Sequence, residues 1–342
     1  MRFSQAEKME IIRLVEGSSL PVKQTLREMD VPRSSFYRWY RRYLDYGYDG
    51  LASQPPHARR FWNKIPESEK KHIVSEAKQM PELTPRELAW HITDSQGAFI
   101  SESSVYRILR DYDLVASPAY IVLTAADEYR HKTKRVHQLW QTDFTYFKII
   151  GWGWYYLSTI LDDYSRYIIA WLLTSTMSAE DVKNTLDLAI TKTGITGVKV
   201  RHRPRLLSDN GPCYLAGDLK QYLDQHGIRH TRGKPYHPMT QGKIERYHRT
   251  LKNRINLENY YLPWELEHQI GRFVDYYNHR RVHESLDNLT PADVYHGRVR
   301  DIITARNLVK EQTMRRRRRQ NLGLKPLNEE IIKPEVYREC LH

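Results

Sequence analysis

The chain has 342 residues, 40% of them hydrophobic, which excludes a wholly disordered polymer and accommodates two or three domains. Its two cysteines exclude a disulfide framework and a cysteine-based zinc site, and no run reaches the roughly 18 apolar residues that a bilayer span needs. A net charge of +13 and a pI of about 9.5 point to a polyanion, nucleic acid first, as partner.

The charge is uneven. Residues 1–64 hold 12 Lys and Arg against 7 Asp and Glu, and residues 297–342 hold 12 against 6. The middle is close to neutral, as a folded core requires. The N-terminus lacks the apolar run of a secretory signal, so a cytoplasmic, nucleoid-associated protein with no membrane partner is expected.

In chain order, residues 1–44 predict three helices. Ser4 and Glu7 have capping-box spacing. "DVPRSS" makes a turn, and the helix after it carries Phe36, Tyr40 and Tyr43 on one stripe. Arg33, Ser34, Ser35, Arg38, Arg41 and Arg42 crowd the start and outer face of that helix. This is how a helix-turn-helix presents its recognition helix to the major groove. Residues 45–65, with tandem prolines, predict a linker. Residues 66–113 repeat the helical pattern. Thr84, Pro85 and Glu87 set one helix start, and "SESSVYRILRDY" forms a second candidate recognition helix with Arg107 and Arg110 off its apolar stripe. A second linker is expected over 114–135.

From 136 the texture turns to strand. "LWQTDFTYFKII", "WYYLSTILDD" and "RYIIAWLLT" are rich in aromatic and β-branched residues, with hairpin-like breaks at "GWG" and "DDYS". A helix opened by Ser178 and Asp181 follows, then a strand ending at "SDNG", a helix, a short fifth strand, and the helix of "TQGKIERYHRTLKN". The order βββ-α-β-α-β-α over 136–296 predicts an α/β core on a mixed five-stranded sheet with flanking helices. The Trp and Tyr residues of "GWGWYY" are expected to pack on the sheet, and Asp162 and Asp163 to form a turn. His237 is read as a loop residue and Cys213 as a small buried side chain. Residues 297–342, including "RRRRR" at 315–319, predict a flexible basic tail.

Three acids stand out: Asp143 within the first strand, Asp209 at the end of the fourth, and Glu245 on the following helix, with 35 residues between the last two. An acid among apolar strand residues is costly unless paired or metal-bound. Carboxylates suit Mg²⁺, and two such ions roughly 3.5–4 Å apart can serve phosphodiester chemistry. Arg249 and Lys252 share the helix face of Glu245 and are expected to grip phosphate, as are Asn210, Gln241 and Lys243 at the turn and helix start.

On "WQTDFTYF", "YLSTILDDYSRYIIAW", "LLSDNGPCY", "HPMTQGKIERYHRTLK" and "YYNHRRVHESLDNLTPADVY", the sequence resembles the transposases of bacterial insertion sequences whose catalytic core is similar to retroviral integrase. The resemblance is strong over about 135–296, where the cited motifs lie. It implies a ribonuclease-H-like core behind tandem helix-turn-helix modules, with Asp143, Asp209 and Glu245 as catalytic and metal-binding residues. It also implies Mg²⁺ dependence with Mn²⁺ as substitute, and strand transfer on double-stranded DNA. The DNA partners are then the element's terminal inverted repeats and a target, handled by a homodimer or larger assembly. A catalytically idle DNA-binding regulator is disfavoured because all three acids are present. A plain nuclease is disfavoured by the two end-reading modules.

Overall fold

The computed structural model describes residues 3–52, 61–114, 133–197, 199, 202–233 and 241–325. The chain divides into two compact units, Met1–Phe61 and Trp62–His342.

The first unit contains α1 (Gln5–Glu16), α2 (Val22–Glu28) and α3 (Arg33–Tyr46), then a 3₁₀ turn at Tyr48–Leu51. Ser4 and Glu7 form the reciprocal cap expected of α1. Ile12, Leu26, Val31, Phe36 and Leu51 make the core. The expected linker therefore starts too early. Leu51 is buried in that core, and Lys8 Nζ and Gln5 Nε2 of α1 donate to the carbonyls of Leu51 and Tyr48. The rest of that linker, 53–60, lies outside the described residues, as does most of the second.

The second unit begins with α4 (Glu67–Gln79), α5 (Pro85–Gln96) and α6 (Glu102–Asp111) around Ile73, Leu88, Ile92, Val105 and Leu109. Thr84 and Glu87 cap α5 reciprocally. The sheet follows: β1 (Leu139–Ile149), β2 (Gly153–Asp162) and β3 (Ile168–Thr174), then α7 (Ala179–Thr193). Next come β4 (Arg205–Ser208), α8 (Pro212–Leu215), α9 (Gly217–Gln225) and β5 (Arg229–Arg232). The chain closes with α10 (Gly242–Ile255), α11 (Pro263–His279), α12 (Pro291–Tyr295) and α13 (Val299–Leu322).

The strand order is β3-β2-β1-β4-β5. The first three strands are antiparallel, and β4 and β5 join parallel. This is the mixed five-stranded sheet expected. The β1–β2 hairpin turns on Gly151 and Gly153, both at positive φ, where a side chain would be strained. One face packs Trp140, Ile160 and Leu206 against Val182, Leu186 and Leu219 of α7 and α9. The other packs Phe147, Leu157 and Leu161 against Ile244, Leu251, Leu266 and Ile270 of α10 and α11. Each such fully buried aliphatic side chain contributes about 1.5–3 kcal/mol.

Asp162 has the turn role expected. Its carboxylate accepts from the backbone N–H of His137 and Ser165 and from the Ser165 hydroxyl, and its carbonyl accepts from Arg166 N–H. One residue thus holds two non-glycine positions at positive φ, His137 and Arg166. Burial pushes its carboxyl up against those hydrogen bonds.

The expected basic tail is instead, through Leu322, the helix α13. Arg306 forks onto Asp94 of α5 at 2.6 and 2.7 Å, donates to Asn288 O and stacks over Trp90 at 4.2 Å. Within "RRRRR", Arg317 is buried on Glu69 and the carbonyl of Phe99, whose N–H donates to Thr313. Arg315, Arg316 and Arg318 remain exposed. Charge pairs to distant segments dock this helix together with buried Ile302, Ala305 and Val309. Residues beyond 325 lie outside the described residues.

Candidate active site

β1 and β4 are parallel neighbours, with Trp140 opposite Leu206 and Gln141 opposite Leu207. That pairing ends at Gln141 and Leu207, and Asp143 and Asp209 each lie two residues beyond it, toward the same end of the sheet. α10 brings Glu245 to the same end of the sheet. Its first turn is tied to β1 on both sides of Asp143. Gln141 Oε1 accepts from Ile244 N–H at 3.1 Å, and Gln241 Nε2 donates to Thr142 O at 3.3 Å. Lys243 Nζ reaches Asp163 Oδ2 at 3.0 Å and its carbonyl at 2.9 Å, and Gln141 Nε2 takes the other Asp163 oxygen.

Gln241 and Lys243, expected at DNA, thus make internal ties in this structure. Gln241 is 6% exposed, and the Lys243 ammonium is spent on Asp163. Asn210 likewise donates to Gly233 O and braces the turn after β4. Arg249 is exposed on the face of Glu245, and Lys252, one turn further, lies 4.1 Å over the Tyr146 ring. In the helical modules Arg33, Ser34, Arg38, Arg41, Arg107 and Arg110 are exposed, and Ser35 and Arg42 half-buried.

Each aspartate is fixed by backbone. Phe144 N–H donates to Asp143 Oδ1 and Gly211 N–H to Asp209 Oδ1, both at 2.9 Å. A Cβ at Gly211 would stand 3.1 Å from that Asp209 oxygen, so glycine leaves the carboxylate its place. One contact escapes sequence reasoning. His248 is 6% exposed, with Nδ1 3.4 Å from Asp143 Oδ2 and Nε2 3.4 Å from Thr159 Oγ1. It lies three residues after Glu245, a spacing that shares a helix face, and that is the signal that could have found it.

Electrostatics ties the acids together. Glu245 is pushed up by burial and then by the charge of Asp143, against the pull of Arg249, Arg246 and His248. The Cys213 thiol is pushed up to about 11 by burial and by the charges of both Asp209 and Asp143. Buried Cys213 is otherwise the small packing residue expected. Among the described residues, no group of three His, Cys, Asp or Glu side chains is placed to hold a metal ion. The three acids are carboxylate oxygen acceptors, and the charge of Asp143 is felt at Glu245. That donor chemistry fits a hard divalent cation that keeps water and phosphate among its ligands. His237 lies outside the described residues.

Residues 133–238 and 226–291 match the Integrase core domain family. Residues 3–52 and 35–109 match Homeodomain-like domain families. InsK of insertion sequence element IS150 in Escherichia coli K12 is 28% identical over 163 residues, 47% of this chain and 56% of its own. The transposase for insertion sequence element IS629 of Shigella sonnei is 29% identical over 171 residues, 47% of this chain and 52% of its own. Among solved structures, the HTLV-2 integrase catalytic core domain in complex with magnesium is similar over 47% of this chain and 98% of its own, at 20% identity and a TM-score of 0.37. The chain spans about half the length of the curated relatives it matches. The chain thus matches integrase core domain models behind matches to homeodomain-like models, and the curated proteins similar to it include insertion-sequence transposases.

Proposed function

We propose that the chain is a transposase that binds the terminal inverted repeats of its own element, cuts their 3′ ends and joins them to target DNA. The observation that supports this reading is that Asp143 and Asp209 each lie two residues past the last β1–β4 pair, with Glu245 raised by the charge of Asp143. Asp143, Asp209 and Glu245 would hold Mg²⁺, as one or two ions with Mn²⁺ as substitute. When bound, the metal activates an attacking oxygen and neutralises charge on the departing one.

The chain's own residues do the rest. Backbone N–H groups of Phe144 and Gly211 aim the aspartates, and His248 braces Asp143. The ties at Gln141, Gln241 and Lys243 keep Glu245 in register with them. Arg249 and Lys252 hold the DNA backbone beside the acids. In the first step water displaces the 3′ oxygen from the phosphorus at the element end. In the second, that 3′-hydroxyl attacks a target phosphodiester, whose own 3′ oxygen departs with a proton. Two ends are handled together, so a homodimer or larger assembly is expected on DNA.

Purified protein incubated with linear DNA carrying the inverted repeats that flank its coding sequence is expected to yield 3′-joined products in Mg²⁺ and none in EDTA. Cleavage without joining, or joining indifferent to the repeats, refutes the assignment. Recognition is assigned first to α3. Replacing Arg33, Arg38 and Arg41 with Ala is expected to abolish end selectivity and to flatten the log–log salt dependence of binding by up to about 2.7. End binding that survives the triple change removes α3 as the reader.

A further inference from the structure

The two faces of the sheet are covered unequally. α10 and α11 cover one face along its length, as far as Phe147 and Ile149 near the hairpin. On the other face, α7 and α9 cover Trp140 and Ile160, with Phe144 at the margin. Beyond Phe144 that face continues with Tyr146 and Lys148 of β1, opposite Tyr156 and Trp154 of β2. There it meets solvent. Tyr146 is 55% exposed, Trp154 52% and Trp152, in the turn, 57%. This corrects the expectation of sheet packing for Trp152 and Trp154, whereas Tyr155 packs on the opposite face as expected.

The rings are ordered against one another. Tyr146 and Trp154 meet edge to face with centroids 5.3 Å apart. Lys148 is exposed beside them, and Lys252 comes from α10 to sit over Tyr146. Lys252 can do so because β4 pairs β1 only as far as Gln141 and leaves the edge of β1 open beyond it. The same lysine therefore belongs both to the catalytic helix face and to the aromatic surface. Tyr146 is three residues past Asp143 on a strand, and Lys252 seven past Glu245 on a helix. Tyr146 lies on the opposite face of β1 from Asp143, so Lys252, over the Tyr146 ring, is what links the two surfaces.

We propose that Tyr146, Trp152 and Trp154, rimmed by Lys148 and Lys252, bind unpaired DNA bases. Open aromatic faces stack on bases of any sequence, and the flanking ammoniums hold the backbone between them. A paired duplex keeps its base faces stacked inside, so this surface distinguishes a frayed or overhanging end from an intact one. That such bases belong to an element end rests on the function proposed above; the preference for unpaired bases does not.

The test uses the full chain in EDTA and fluorescence anisotropy with three labelled DNAs: a blunt duplex, the same duplex with a four-nucleotide single-stranded extension, and the single strand. Replacing Trp152 and Trp154 together with Ala is expected to weaken binding of the extended and single-stranded DNAs by about tenfold or more, with blunt-duplex binding changed less than twofold. Replacing both with Phe is expected to restore most of the loss. If the Ala pair melts early, Trp152→Ala alone, in the exposed turn, carries the comparison, with a loss of about threefold or more expected. Equal losses on all three DNAs, or no loss on any, overturn the proposal. So does a change of oligomeric state in light scattering with DNA affinities intact, which would make the surface a protein interface. If the extended DNA is preferred but no joining occurs in Mg²⁺, the surface stands and the transposase reading falls.

Discussion

Glu245→Gln is expected to lower strand joining in Mg²⁺ by about 10³-fold or more, which is about 4 kcal/mol of lost transition-state stabilisation. Binding to the terminal repeats should change by less than about twofold. The amide keeps the size of the carboxylate and loses its charge, so one of the three oxygen donors proposed for a divalent cation is weakened at a single position. The fold should not suffer. Glu245 is exposed on the first turn of α10, and the ties that place that turn come from Gln141, Gln241 and Lys243. A gel assay of joined products, with anisotropy for end binding, separates the two effects. Wild-type-like joining by the variant ends the catalytic assignment of Glu245.

The largest stability effect is expected at α13. Asp94 and Arg306 are each 5% exposed and doubly hydrogen-bonded. Arg306→Ala strips a buried carboxylate of its guanidinium and also removes the stack on Trp90 and the bond to Asn288 O. Breaking such a pair from one side costs about 3–5 kcal/mol. Asp94→Ala is expected to fall in the same range, because it strands the cation instead. Replacing both together with Leu at 94 and Met at 306 should recover most of the loss, since apolar groups of similar volume need no counter-charge. Chemical denaturation monitored by tryptophan fluorescence reads all three variants. Single variants within about 1 kcal/mol of wild type would mean that α13 is not held by this pair.

The catalytic sheet was legible because its signals are local. Alternation, β-branched residues and glycine turns mark β1, β2 and β3, and capping pairs at Ser4, Thr84 and Ser178 mark helix starts within four residues. Asp143, Asp209 and Glu245 stood out because an acid is costly in those contexts. Partnerships across the chain were not legible. Arg306 and Asp94 are 212 residues apart, so the same arginines read as a basic tail or as a docking helix until the partner is seen. The same holds for Lys243: its spacing suits a phosphate contact, while its bond to Asp163, 80 residues earlier, cannot be read from the sequence. The hairpin aromatics show a third limit. Their composition marks a strand, but whether a strand face is buried depends on how far α7 and α9 extend over it.

The central claim is that Asp143, Asp209 and Glu245 act as one metal site. Anomalous scattering from Mn²⁺ in crystals of the chain bound to its end DNA tests this most directly. The account predicts a peak within coordination distance of carboxylate oxygens from all three residues and of a DNA phosphate. A peak that leaves out any one of the three, or lies at other ligands, contradicts it.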